Sequence, residues 1–266
     1  LAKKLISTIK KVSDKPIKFL ILTHSHLDHI NGVEGFPNEV IIIAHENLSE
    51  NLHFTEERNK EIIENFYPPY LEQLKSKMDS ISNKNSDEYI ALKKSYDDEM
   101  DFCNELKTVQ FKEPNITFDE KYKLEIGGDI IILEYLSAAH TNDNIVVKFT
   151  KHNAMNTGDL IFNNAIPFVR VDHGANTKGW IKTLETLYEE GYDHIIPGHG
   201  ELGNNELLKV QSEYFIKLTG KIQSLKKDGY TLEEIKEKID IAEFGLTQSA
   251  SQFPVNIEAI FNELKD

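Results

Sequence analysis

The sequence predicts an α/β fold in which helices alternate with buried strands. Residues 1–12 place apolar side chains at helical spacing with lysines opposite them, and residues 17–22 follow as an almost continuous apolar strand. A second apolar strand is predicted at 40–44, after a short turn marked by Gly32 and Gly35. A helix followed by a buried strand, repeated along the chain, is typical of layered α/β domains.

The middle of the chain has a different character. From about 46 to 112 it is rich in charged residues and poor in glycine, with Leu, Ile, Tyr and Phe spaced three to four apart. Pro68-Pro69 and residues 83–86 divide this segment into about three helices. The pattern is too short and irregular for a coiled coil. We therefore expect a helical insertion within a single domain that covers residues 1–266.

After Pro114 the apolar period changes to two, which predicts strands, and Gly127-Gly128 predicts a hairpin turn between two of them. Helical spacing returns later, and the C-terminal segment from about 203 to 266 is expected to be helical. The predicted strands are 116–118, 122–126, 130–136, 144–150, 154–157 and 195–196. The predicted helices are 178–190, 205–227, one opened by a capping box at Thr231 and Glu234, and 255–264.

Composition limits the classes of partner. The chain has 266 residues, of which 39% are hydrophobic and 28% charged, so it can bury a substantial core. It contains no uninterrupted apolar stretch of about 18 residues, so we expect no membrane partner. The net charge of -14 opposes a nucleic-acid partner, because phosphate binding requires clustered Lys and Arg. The expected partner is a small-molecule substrate, and the oligomeric state is left open.

The number of cysteines and the first residues of the sequence are relevant to the cellular compartment. Cys103 is the single cysteine, so no internal disulfide can form and a reducing, cytoplasmic compartment is favoured. We expect Cys103 to pack as a small apolar residue. The sequence begins at Leu1 and enters a helical pattern directly. We therefore expect an incomplete N-terminus, which leaves a preceding signal peptide open.

The most informative segment follows the first strand, where His24, His26, Asp28 and His29 occur within six residues. Imidazole and carboxylate groups are preferred ligands of borderline divalent metals. Alternation along an extended backbone places His24 and His26 on the same side, so the two can bind one ion. If the chain turns into a helix at Asp28, Asp28 and His29 can reach a second ion.

Three further residues of ligand type each follow an apolar strand: His140, Asp159 and His199. Loops at strand ends are where α/β folds usually place their sites. Glycines beside Asp159 and His199 permit sharp turns and close approach to an ion. Together with the histidine-rich segment, these residues predict a metal-dependent active site.

In type and order these residues resemble the metallo-β-lactamase superfamily, over residues 17–200. The motif H-x-H-x-D-H is present at residues 24–29, and the later ligands occur in the family's order. The resemblance implies an α/β fold, an αββα sandwich of two mixed sheets flanked by helices, with the site at one edge. The strand pair that the family places before the first helix is absent from this sequence. The resemblance further implies one metal on His24, His26 and His140, a second on Asp28, His29 and His199, and Asp159 bridging the two.

The activity that the resemblance implies is that of a dinuclear zinc hydrolase, similar to glyoxalase II, acting on a small ester, thioester, lactone or phosphoester. A metal-bridging hydroxide would attack the substrate, and Asp28 would orient it as the catalytic residue. Zn²⁺ fits ligands that mix imidazole and carboxylate without thiolate, and Fe or Mn is left open.

The ligand residues also discriminate among other activities of the superfamily. Asp159 tells against β-lactamase activity, because true β-lactamases have a cysteine or serine there. His26 tells against flavodiiron oxygen reductases, which have a glutamate there. The alternative is a mononuclear iron oxidoreductase of the persulfide dioxygenase type. A non-catalytic metal-binding protein is disfavoured because all seven ligand positions are filled.

Substrate contacts are predicted for His173, His45 and Phe168. Each also has an ordinary structural interpretation: a loop histidine, a histidine at a strand end and an aromatic core residue. Tyr67 and Tyr70 of the helical insertion are candidates for a lid over the active site.

Overall fold

The computed structural model of the protein describes residues 2–246 and 248–264. The strands form two β-sheets, one of three strands and one of five. The chain clusters into two compact units: Leu1–Ile43 with Ser49–Asn115, and Ala44–Leu48 with Ile116–Asp266. Two sheets with flanking helices are the α/β architecture that the sequence predicts.

The first unit begins with a helix and a short parallel strand pair. Helix α1 is Ala2–Val12, strand β1 is Phe19–Ile21, helix α2 is Leu27–Ile30 and strand β2 is Ile41–His45. Strands β1 and β2 are parallel, with Phe19 opposite Ile41 and Ile21 opposite Ile43. Parallel neighbours need a crossover connection, and α2 lies within it. The strands predicted at 17–22 and 40–44 are confirmed, the first with shorter bounds.

The predicted helical insertion is also confirmed. Helices α3 (Leu48–Glu61), α4 (Tyr67–Ser80) and α5 (Asp87–Leu106) occupy it, and a π-helix (Ile62–Phe66) joins the first two. Pro68 and Pro69 lie in the first turn of α4, where backbone N–H groups need no partner within the helix. Ser86 caps α5, because its side chain accepts a hydrogen bond from Tyr89 N at 3.2 Å.

Helices α4 and α5 pack through a small core of Tyr67, Cys103 and Leu106. Tyr67 is 5% exposed, and its hydroxyl donates to the Glu99 carboxylate at 3.3 Å. Burial and the Glu99 charge raise the pKa of Tyr67 to about 12. The lid prediction is therefore wrong for Tyr67, whose ring is fixed in this core. Cys103 packs as a small apolar residue, as predicted.

The second unit contains strand β3 (Ile116–Phe118) and the five-stranded sheet. That sheet has β4 (Lys121–Ile126), β5 (Asp129–Glu134), β6 (Val146–Phe149), β7 (Ala154–Asn156) and β8 (His194–Ile196), in this order. Neighbours are antiparallel from β4 to β7, whereas β7 and β8 are parallel. Gly127 and Gly128 have φ angles of 60° and 85°, which confirms the predicted hairpin turn.

Four helices complete the second unit: α6 (Thr177–Glu190), α7 (Glu206–Lys227), α8 (Leu232–Lys238) and α9 (Phe253–Glu263). Trp180, Leu184, Phe215 and Ile257 from these helices are buried in one core with Met155 and Ile195 of the sheet. Full burial of each such side chain contributes roughly 1.5–3 kcal/mol. The capping box at Thr231 and Glu234 is present, as predicted. Helix α9 starts two residues before the predicted start, because Pro254 fits its first turn.

No helix in the part of the chain that the structure describes is both long and apolar enough to cross a bilayer.

Candidate functional site

In the first unit the segment after β1 gathers three imidazoles. His26 is the extended N-cap residue of α2, with φ -67° and ψ 149°, so Asp28 and His29 lie in the helix that follows. The predicted turn into a helix at Asp28 is thus confirmed. The ring centroid of His24 lies 4.8 Å from that of His26 and 4.1 Å from that of His29. The loop therefore brings its three histidine rings together around His24.

Exposure differs among these side chains. His24 is fully buried, whereas the side chain of Asp28 is 58% exposed. Asp28 Oδ2 lies 3.3 Å from His29 Nε2. Thr23 Oγ1 lies 3.2 Å from His24 Nδ1. The loop thus has a buried imidazole at its centre and an accessible carboxylate at its rim.

In the second unit His140, Asp159 and His199 come together although they are far apart in sequence. Asp159 Oδ2 lies 3.5 Å from His140 Nε2 and 3.2 Å from His199 Nε2. Asp159 and His140 are buried, whereas the side chain of His199 is 43% exposed. One carboxylate therefore faces the Nε2 atoms of two imidazoles.

Glycine permits the approach of the His199 loop to Asp159. Gly198 N donates to Gly158 O at 2.8 Å, so the two loop backbones are in direct contact. A Cβ atom on Gly198 would lie 1.9 Å from Asp159 Oδ1 and 2.8 Å from Gly158 O. Any side chain at 198 would therefore collide with the carboxylate and the neighbouring backbone.

Hydrogen bonds to neighbouring residues hold His140 and Asp159. His140 Nδ1 lies 2.9 Å from Phe168 O, and because a carbonyl oxygen only accepts, Nδ1 carries a proton and donates. Asp159 N donates to Asn144 Oδ1 at 3.0 Å. These contacts set the tautomer of His140 and the backbone position of Asp159.

Aromatic rings pack against the two imidazoles. Phe162 is stacked on His199, with centroids 5.0 Å apart and an interplanar angle of 10°. It is also stacked on Phe168 at 5.5 Å. Trp180 meets His140 in a T-shaped arrangement at 5.3 Å, and its Nε1 donates to Leu160 O at 3.0 Å. Sequence reasoning missed Phe162, although its position three residues after Asp159 in an apolar run is a usable signal.

The three residues predicted to contact substrate have identifiable environments. His45 is buried, packs against Tyr135 in a tilted arrangement with centroids 4.1 Å apart, and accepts a hydrogen bond from Asn47 N at its Nδ1. His173 is buried as well, and its carbonyl accepts from Asn142 N at 3.0 Å. Phe168 is half-buried and binds His140 through its carbonyl. Their contact with a substrate stays a prediction.

Burial lowers the pKa of both additional histidines, because it disfavours the charged imidazolium. For His45, the carbonyl of Asp119 and the charges of Glu46 and Asp119 act in the opposite direction without reversing the shift. For His173, the charge of Asp172 opposes the effect of burial on the pKa, and that of Arg170 adds to it. Both side chains are therefore neutral near pH 7.

The ligand candidates of the loop after β1 and those around Asp159 are of residue types that can hold a metal ion. Four of them are in the first unit (His24, His26, Asp28 and His29) and three in the second (His140, Asp159 and His199). In each unit the donor set is rich in imidazole, lacks thiolate and includes a carboxylate, which fits Zn²⁺ and also Fe or Mn.

Comparison with known proteins gives the family. Residues 2–199 match the metallo-beta-lactamase superfamily. A stretch of 79 residues is 37% identical to metallo-beta-lactamase IND-1 of Chryseobacterium indologenes, covering 29% of this chain and 33% of that protein. A stretch of 58 residues is 43% identical to a linear primary-alkylsulfatase of Pseudomonas sp., covering 19% of this chain and 11% of that protein. The chain thus spans a third or less of these two relatives.

Solved structures of the same fold are also similar. The stereoselective inverting sec-alkylsulfatase Pisa1 from Pseudomonas sp. matches with a TM-score of 0.65 and 17% identity, over 98% of this chain and 43% of that chain. Metallo-beta-lactamase IND-7 matches with a TM-score of 0.51 and 22% identity, over 80% of this chain and 74% of that chain. At such identities the similarity concerns the fold.

Proposed function

The chain belongs to the metallo-β-lactamase superfamily, and on this premise we propose that it is a hydrolase that uses two zinc ions. The observation that carries the proposal is the position of Asp159, whose Oδ2 lies 3.5 Å from His140 Nε2 and 3.2 Å from His199 Nε2. A carboxylate beside two imidazole nitrogens is a donor set suited to sharing between two divalent ions.

The ligand assignment follows the superfamily pattern. One ion would be held by His24, His26 and His140 and the second by Asp28, His29 and His199, with Asp159 available to both. Two observations support this assignment: the rings of His26 and His29 lie 4.8 Å and 4.1 Å from that of His24, and the donors fit zinc. When bound, two such ions supply a hydroxide nucleophile near neutral pH.

The protein's own groups then orient the reaction. Asp28 is the proposed catalytic residue, because a carboxylate can accept a proton from water and this one is 58% exposed, with Oδ2 3.3 Å from His29 Nε2. The carbonyl of Phe168 accepts a hydrogen bond from His140 Nδ1, so Nε2 would be the nitrogen of His140 that binds the metal. Asn144 fixes the backbone of Asp159 through its side-chain oxygen.

The proposed substrate is a small ester, thioester, lactone or phosphoester. The names of the two curated relatives add sulfate esters and β-lactams to the classes to test. Asp159 argues against β-lactams, because the residue at this position in true β-lactamases is a cysteine or serine. The net charge of -14 argues against a nucleic-acid substrate.

Metal analysis combined with a substrate panel tests the proposal. Protein purified without chelators is expected to contain two zinc ions per chain and to hydrolyse at least one p-nitrophenyl ester, thioester, lactone, phosphoester or sulfate ester. Asp159→Asn should lose both metal and turnover, because an amide is a weaker ligand than a carboxylate. Asp129→Asn is the matched control, since it removes a carboxylate that pairs with Lys151 and His152 instead of with the metal-ligand candidates.

The alternative function gives a different result. One iron per chain and oxygen-dependent oxidation of a persulfide would replace the hydrolase proposal with a mononuclear iron oxidoreductase. Protein that binds no divalent metal, or an Asp159→Asn variant with normal metal content and turnover, would overturn both.

A further inference from the structure

Helix α3 of the first unit has a buried polar stripe. Asn51, Thr55 and Asn59 are spaced four residues apart, so they lie on one face of the helix. Their exposures are 3%, 1% and 7%. Buried helix faces usually carry apolar residues, and buried polar side chains are retained where they form hydrogen bonds. The partners of this stripe therefore indicate what α3 supports.

The central residue of the stripe is bonded to the histidine loop. Thr55 Oγ1 donates to Ser25 O at 2.8 Å, and the carbonyl of Asn51 lies farther away, at 3.1 Å. Ser25 is fully buried and stands between His24 and His26 in the sequence. A buried carbonyl group needs a donor, and the Thr55 hydroxyl supplies one from a distant part of the chain.

The other end of the stripe anchors α3 itself. Asn59 Nδ2 donates to Leu106 O at 3.2 Å, and Leu106 is the last residue of α5. Helix α3, which carries the Thr55 hydroxyl, is thus hydrogen-bonded both to the histidine loop and to α5. A donor on a fixed helix restrains its acceptor more than a donor on a mobile loop does.

We propose that Thr55 is a positioning residue for the His24 and His26 pair, an inference that rests on the proposed function. Its hydroxyl fixes the carbonyl of Ser25 and hence the plane of the peptide that connects Ser25 to His26. Rotation of this plane would turn the two imidazoles relative to each other, because they leave the backbone on either side of it. The helical insertion therefore supports the first metal-binding pair through one hydrogen bond.

Two matched pairs of variants separate the hydroxyl from the packing of the side chain. Thr55→Val retains the shape and loses the hydroxyl, whereas Thr55→Ser retains the hydroxyl and loses the methyl group. Thr55→Ala matches Thr55→Ser without the hydroxyl. Competition with a chromogenic chelator should show zinc binding weakened about tenfold in Thr55→Val relative to wild type, and in Thr55→Ala relative to Thr55→Ser. Thr55→Ser should bind zinc with wild-type affinity.

Hydrogen exchange of the metal-free protein gives a second measurement. Amides of residues 24–30 should exchange faster in Thr55→Val and Thr55→Ala than in wild type and Thr55→Ser. Thr186→Val is the control, because it removes a hydroxyl that donates to Lys182 O at 2.8 Å on an exposed helix face. Exchange of residues 24–30 and zinc affinity should be unchanged in this control.

The outcomes distinguish the inference from the function. If wild type binds two zinc ions, and Thr55→Val has the wild-type zinc affinity and the wild-type exchange rates at residues 24–30, the inference is overturned and the proposed function stands. If wild type binds no metal, the proposed function fails, and this inference fails with it. If Thr55→Val does not fold, equal zinc affinities of Thr55→Ser and Thr55→Ala overturn the inference.

Discussion

Replacing Gly198 by alanine should displace the Asp159 carboxylate and thereby disrupt the metal site. The new Cβ atom would lie 1.9 Å from Asp159 Oδ1 and 2.8 Å from Gly158 O. Ordinary van der Waals contact begins near 3.4 Å, so the carboxylate or the loop must move by about 1.5 Å. The loop cannot yield freely, because Gly198 N donates to Gly158 O at 2.8 Å.

The size of the effect follows from this displacement. A misplacement of about 1 Å in a catalytic group can reduce the rate about 100-fold, so we expect at least that loss of kcat in Gly198→Ala. Overpacking of a buried site costs about 1–3 kcal/mol of unfolding free energy. Zinc affinity should fall together with kcat, because Asp159, His140 and His199 lose their relative positions.

Urea denaturation, zinc content and turnover of the best panel substrate measure the three effects. Gly220→Ala is the matched control: Gly220 lies inside α7, and a Cβ atom there meets nothing within 4 Å. This control should raise the unfolding free energy by up to about 1 kcal/mol and leave zinc binding unchanged. Wild-type zinc content and stability in Gly198→Ala would refute the steric reasoning.

Three further predictions concern the metals, an aromatic neighbour and a buried histidine. Protein with free zinc at 100 times its Kd should have an unfolding free energy about 2.7 kcal/mol per site higher than protein stripped of zinc by a chelator. An unchanged urea midpoint after zinc removal would contradict this. Phe162→Leu removes the ring stacked 5.0 Å from His199 and should weaken zinc binding about tenfold in chelator competition, whereas Phe66→Leu, at an exposed ring, should not. Burial holds the pKa of His45 below the ordinary histidine value of 6.5, so the unfolded state binds more protons below that pH. The unfolding free energy of metal-free protein should therefore fall as pH drops from about 6.5, and this fall should be smaller in His45→Asn, which denaturation midpoints along a pH series would measure.

Periodicity carried most of the fold prediction. Strand β3 was predicted at 116–118 and has those bounds, and the hairpin at Gly127-Gly128 and the three insertion helices are also present. These elements have strong local signals, namely alternation, turn residues and helical spacing. The π-helix Ile62–Phe66 has no such signal, because one turn of i to i+5 hydrogen bonds within a helical stretch does not change the spacing of the apolar residues visibly.

The residues that support the site were harder to predict than the ligand candidates. Ligand candidates are identified by side-chain chemistry, and imidazole and carboxylate groups stand out in a sequence. The sequence predicts a substrate contact for the Phe168 ring, yet the carbonyl of Phe168 is what accepts a hydrogen bond from His140, and any residue has a carbonyl. Thr55 was not predicted at all, because its partner is the backbone of Ser25, 30 positions away. A hydrogen bond to a backbone group does not restrict the residue type of that partner, so the sequence does not reveal it.

The meeting of Asp159 and His199 nevertheless follows from strand register. Strands β7 and β8 are parallel, and Asn156 is paired with Ile196. Asp159 and His199 each lie three residues after these partners, so equal lengths of chain bring both to the same edge of the sheet. The ladder continues beyond the strands, since Thr157 N donates to Ile196 O at 3.0 Å and Gly198 N donates to Gly158 O at 2.8 Å. Ligand candidates at equal distances from paired residues in parallel strands are therefore predicted neighbours, and here the distance of 3.2 Å between Asp159 Oδ2 and His199 Nε2 agrees with that rule.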